Sequence, residues 1–245
     1  MPLRSRKKNT VIAVQKKDFV KCDGSCMNEL DTDKATIIEN KFLTPKKETV
    51  IRLGTIGDGS CFFHSICLCL NKNHIWKNES YILSKKEKRQ EIALALRHYI
   101  AEHVTEDLLK LVYKEMRNKN AKIDLEDLKQ KLRTLKTWAN EVIIRVTSKI
   151  LKKNIIFLNL MKNTMFCEVH DDDTERSTHC TAEDSSCGLP NDTIIVAWVN
   201  YKHFELIGVA ESKTGTLANV KVQFNDKPTI KFIMDHYFQS CGKKV

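Results

Sequence analysis

Glycine and proline are scarce, with eight and four in 245 residues. That scarcity argues against a turn-rich all-β fold and favours long helices. No apolar run reaches the roughly 18–20 residues that a membrane-spanning helix needs. The basic start, Met1-Pro2-Leu3-Arg4-Ser5-Arg6-Lys7-Lys8, is followed by no secretory apolar segment. The expectation is a soluble, cytoplasmic, monomeric chain that is not secreted and has no membrane partner. Regular cysteine spacing is lacking too. The nine cysteines, with Cys61, Cys67 and Cys69 crowded together, form no disulfide framework, and reduced thiols are the default without a secretory signal. Aromatics are not interleaved with the basic residues, although the net charge is +10. Lysine pairs such as Lys46-Lys47 and Lys152-Lys153 read as solvated faces, so nucleic acid is not expected as a partner; weak polyanion binding is the alternative.

What is present suits one substantial core, at 42% hydrophobic and 29% charged residues. Residues 1–48 read as a basic leader, ordered in part at most, with a possible strand over Thr10–Val14. Residues 49–210 hold the main domain, and 211–245 form a C-terminal extension. A Gly54–Ser60 turn follows the extended Ile51–Leu53. Helical spacing then predicts helices over 61–70, 86–103 and 105–116, another from an Asp124 cap through Leu135, and one over Trp138–Leu151. The period switches to strands at Ile155–Leu158, Met165–Val169, Thr193–Val199 and His203–Val209, the last two joined by Asn200-Tyr201-Lys202. A further strand is expected at Val220–Phe224. Helices followed by an antiparallel-leaning sheet make an α+β domain.

Gly57-Asp58-Gly59-Ser60-Cys61-Phe62-Phe63-His64-Ser65 places a cysteine after a glycine-rich turn and before a helix-compatible run. A helix N-terminus favours thiolate over thiol, and its backbone N–H groups can hold an oxyanion. A buried structural cysteine is the plain alternative. A nucleophilic thiol needs a base, and the base needs a group to fix its tautomer. His203 and Glu205 project to one side of their strand. Glu205 can accept the Nδ1 proton and leave Nε2 for the thiol; a surface His and Glu pair is the bland reading.

Asp58-Gly59-Ser60-Cys61-Phe62-Phe63 resembles the D-G-x-C-hydrophobic-F signature of the ovarian tumour (OTU) family of cysteine proteases, which remove ubiquitin from proteins. Trp138-Ala139-Asn140-Glu141 is similar to the family's Trp-Gly helix, with alanine for glycine. Ile155–Leu158 is similar to the strand that follows it. Tyr201-Lys202-His203-Phe204-Glu205 is similar to its histidine motif, with Glu205 where the family mostly has Asn or Asp. These motifs occur in the family's order over about residues 50–210.

The resemblance implies a papain-like fold, helices on a small, mostly antiparallel sheet, and a thiol-dependent deubiquitinase that needs no metal and no cofactor. Ubiquitin or polyubiquitin is the implied partner, ubiquitin-like modifiers a further one. Cys61 is the implied nucleophile, His203 the base, and Asp58 and Glu205 the carboxylates; Asp58 can orient either the loop or the histidine. Gly57, Gly59 and Ser60 shape the oxyanion loop. Trp198 and Tyr201 could wall the channel for a Gly-Gly tail, and Asp171, Asp172 and Asp173 could meet arginines of that tail. Zinc-compatible residues at Cys167, His170, His179, Cys180 and Cys187 fit no standard finger spacing and read as a loop. Cys22 and Cys26 are weaker still. Alternatives are a catalytically silent ubiquitin-binding module and a thiol protease acting on a polyprotein. The lysine-, asparagine- and isoleucine-rich usage fits an AT-rich genome such as that of a large DNA virus, which would place the chain in a host cytoplasm.

Overall fold

A computed structural model describes residues 11–12, 19–21, 35–37, 48–70, 85–116, 124–159, 164–168, 193–211, 220–225, 228–230 and 232–233. Its strands are β1 (Val11–Ile12), β2 (Phe19–Lys21), β3 (Ala35–Ile37), β4 (Glu48–Leu53), β5 (Asn154–Asn159), β6 (Thr164–Glu168), β7 (Thr193–Val199), β8 (His203–Glu211) and β9 (Val220–Lys221). Its helices are α1 (Cys61–Cys69), α2 (Lys86–His103), α3 (Glu106–Glu115), α4 (Leu125–Leu132) and α5 (Glu141–Leu151). All nine strands join one sheet in the order β2-β3-β4-β8-β7-β5-β6, with β9 against β8 and β1 against β9. Pairing is parallel between β2 and β3 and between β5 and β7, and antiparallel elsewhere. The α+β class is therefore as the sequence implies. Short strands from the leader and from the C-terminal region belong to this same sheet.

The expected caps form. Thr105 accepts from Leu108 N at 3.2 Å, and Asp124 accepts from Asp127 N at 2.9 Å. Two helix limits differ from the expectation. α4 stops at Leu132, not Leu135, because Arg97 of α2 takes the Leu132 and Lys131 carbonyls at 2.7 and 2.8 Å. A guanidinium there also suits the negative end of the helix dipole. α5 begins at Glu141 because Asn140 caps it, accepting from Ile143 N at 3.0 Å. Trp138 thus lies in the preceding loop, 54% exposed.

One face of the sheet packs on the helices. Phe204 and Leu206 of β8, Leu53 of β4 and Phe157 of β5 join Phe62, Ile66, Leu96, Ile100 and Ile143 in the core. Alternation puts His203, Glu205 and Ile207 of β8 on the opposite face. Val199 pairs with His203 across the β7–β8 turn, where Lys202 N donates to Val199 O at 3.2 Å. Asn200 and Tyr201, its central residues, have φ of 50° and 58°, as a primed hairpin turn requires.

Candidate active site

Cys61 is the first residue of α1 and is buried. Its thiol donates to Lys202 O at 4.0 Å and faces the backbone N–H groups of Phe204 and Phe62. The sulfur therefore rests against the backbone on both sides of His203. An aromatic contact fixes this arrangement. Phe62, next to the thiol, and Phe204, next to the imidazole, pack edge to face at 5.9 Å, and both contact Phe157. Burial pushes the Cys61 thiol up to about 11, and the N–H groups of Phe204 and Phe62 offset this only in part. Burial thus opposes the thiolate that the helix N-terminus favours. In a dry site desolvation outweighs the dipole.

His203 is also buried. Its Nε2 lies 3.3 Å from Thr55 Oγ1 and 3.6 Å from Glu205 Oε1. The Thr55 hydroxyl spends its one proton on Phe204 O at 2.5 Å, so towards His203 it can only accept. Carboxylate and hydroxyl together place the imidazole proton on Nε2. The nitrogen that faces the carboxylate is therefore Nε2, the reverse of the sequence expectation. Glu205 is fully buried, with Arg52 Nε 2.6 Å from its Oε2.

Asp58 does not face His203. Its Oδ1 accepts from Ser60 N at 2.9 Å, its Oδ2 accepts from Gln90 Nε2 at 3.0 Å, and His64 Nε2 lies 3.2 and 3.1 Å from the two oxygens. Burial acts to raise this carboxyl, but the hydrogen bond and charge of His64, with Gln90 and Ser60 N–H, hold it at about 2. Of the two orientations open to Asp58, the structure has the loop. Ser60 stands at the N-cap of α1 but does not cap it. Its hydroxyl donates to Leu135 O at 2.6 Å and accepts from Arg97 Nη1 at 3.1 Å. The first-turn N–H groups of α1 are thus not claimed by the cap side chain. Because Ser60 N–H serves Asp58, it is withdrawn from the expected oxyanion donors. Gly59 is required by the backbone. Its φ is +89°, and a Cβ there would lie 2.8 Å from Lys136 O. Gly57 is exposed at the lip of the loop.

Trp198 is half-buried, stacked on Phe204 at 6.2 Å and edge-on to Tyr201 at 5.7 Å; Tyr201 is 46% exposed. Asp171, Asp172 and Asp173 lie outside the described residues, as do Cys22, Cys26, His170, His179, Cys180, Cys187 and the side chain of Cys167. Among the described residues no cluster of His, Cys, Asp and Glu suits a metal ion. Sequence reasoning missed Arg52, Thr55, His64, Gln90 and Arg97. The available signal was a charge within an apolar stretch, as in Val50-Ile51-Arg52-Leu53 and in the buried stripe of the 86–103 helix.

A thiol at a helix start, resting against the backbone on both sides of a histidine that a carboxylate backs, suits a thiol-dependent hydrolase. Residues 56–187, more than half of the chain, match the family model of the OTU-like cysteine proteases, and the chain belongs to that family. The matched segment contains Cys61 and Trp138; His203 and Glu205 follow it. No curated protein matches the chain. Solved structures that it resembles include an OTU domain in complex with ubiquitin, at 14% identity and a TM-score of 0.48 over 86% of this chain and 92% of that one. An OTU deubiquitinase from Wolbachia pipientis wMel has 14% identity and a TM-score of 0.41, over 64% and 87%. The Hazara virus OTU bound to ubiquitin has 11% and 0.38, over 76% and 96%.

Proposed function

We propose that this OTU-family protease is a deubiquitinase that hydrolyses the isopeptide bond at the ubiquitin C-terminus through a Cys61 acyl-enzyme. The observation that carries the reading is the Cys61 thiol lying against the backbone on either side of His203, whose Nε2 is occupied by Thr55 and Glu205. As substrate enters, His203 Nδ1 takes the thiol proton and the sulfur attacks the glycine carbonyl. The N–H groups of Cys61 and of the loop that Asp58 braces hold the oxyanion, where one donor is worth about 100–1000-fold in turnover. The imidazolium then gives its proton to the leaving lysine amine. A water activated by His203 cleaves the thioester and frees the ubiquitin carboxylate. Glu205 steadies the imidazolium, and Trp198 and Tyr201 wall the channel for the narrow tail. The family's substrate class supports ubiquitin as the partner.

A ubiquitin probe with a C-terminal electrophile tests this. Wild type is expected to be captured covalently, Cys61→Ala not at all, and His203→Ala at least about 100-fold more slowly. A wild-type protein that binds ubiquitin without reacting would instead be a silent binding module.

A further inference from the structure

Resting on His203 as the base, we propose that Arg52 is a positioning residue of this site: it keeps Glu205 ionised inside the protein and aimed at His203. The register of the sheet sets this up. Arg52 of β4 pairs with Ile207 of β8, so Glu205, two residues back on the same face, is its diagonal neighbour and His203 the next along. The two carboxylate oxygens are divided between them: Oε2 lies 2.6 Å from Arg52 Nε, and Oε1 lies 3.6 Å from His203 Nε2. Arg52 and Glu205 are 1% and 0% exposed. Two charges so far from water gain little stability over apolar residues of the same volume, so stability does not account for the pair. A carboxylate in that position without a cation would take up a proton and cease to be an anionic acceptor. Arg52 thus makes the longer glutamate usable where the family pattern mostly has Asn or Asp. Arg52 from β4 and His203 on β8 itself are charged or titratable groups that face Glu205. β7 sets the uncharged Ala197 opposite it.

The test is the pH profile of ubiquitin-conjugate hydrolysis by the full chain. Arg52→Met is expected to lower kcat at neutral pH by about 10–100-fold with KM within about twofold. It should also move the acid limb of the profile to higher pH, because Glu205 then has to lose a proton before it can steady His203. The double variant Arg52→Met/Glu205→Gln carries neither charge. It is expected to fold, to turn over at neutral pH no faster than Arg52→Met, and to return the acid limb to its place because no carboxyl is left there to titrate. A purely structural Arg52 would lower the melting temperature and leave the limb unmoved. The proposal is overturned by an Arg52→Met protein with wild-type kcat and an unshifted limb. It is overturned equally by a double variant that does not fold or that keeps the shifted acid limb. Should Arg52→Met itself fail to fold, the double variant decides alone. Full activity in Cys61→Ala or His203→Ala would sink the parent reading instead, whatever Arg52 does.

Discussion

Asp58 shows how a side chain can serve the chemistry without touching it. Its carboxyl is held at about 2, below its ordinary 3.8, by His64, Gln90 and Ser60 N–H against the opposing effect of burial. A depressed carboxylate stabilises the fold above its unfolded pKa, and that contribution is lost as pH falls through the folded value. The stability difference between wild type and Asp58→Asn should therefore be largest near neutral pH and shrink between about pH 4 and pH 2, as read by denaturant midpoints across that range. A difference constant over that range would mean that the Asp58 carboxyl is not held down in the folded protein. Cys61 and His203 were legible from the sequence because each stands in a local pattern, a glycine turn before a helix and a histidine after a hairpin. Arg52 and Thr55 stand in no such pattern. They lie six and three residues before Asp58, and the pairing of β4 with β8 brings Arg52 to Glu205 and Thr55 to His203.

At the scale of elements, the nucleophile loop is held mainly by other parts of the chain. Arg97 of α2 joins the end of α4 to Ser60 and lies 4.5 Å over the Phe63 ring. Burial lowers its guanidinium to about 10, and nearby Asp58 acts the other way, so it stays charged at neutral pH. Arg97→Leu is expected to cost roughly 2–4 kcal/mol, since it removes charge-assisted hydrogen bonds and strands the Lys131 and Leu132 carbonyls. Hydrolysis by the folded fraction should fall as well. A loss of stability with unchanged turnover per folded molecule would separate the clamp from the loop. Most helix and strand spans were readable from period and caps: α2 falls on 86–103 as expected, and β7 on 193–199. The ends of α4 and α5 were not, because a tertiary partner, Arg97, and a side-chain cap, Asn140, set them. Leu135 and Trp138 continue the apolar pattern past the point where the backbone leaves the helix.

For the whole molecule, the continuity of the sheet matters most. β3 pairs with β4 through Ala35–Leu53, Thr36–Arg52 and Ile37–Ile51, covering the strand that carries Arg52. A chain lacking residues 1–47 would present β4 as an open, apolar edge, a template for pairing with another copy. Such a truncation is expected to elute as aggregates in size-exclusion chromatography at concentrations where the full chain does not. A well-behaved monomer would show that the leader strands are dispensable. The turn between β7 and β8 has a different kind of consequence. It counts residues. Strand alternation has a period of two, so one residue inserted between Val199 and His203 that shifted the strand's phase would exchange its faces, sending Phe204 towards Glu205's side and His203 into the aromatic core. The length of this loop is a key cut to one pattern.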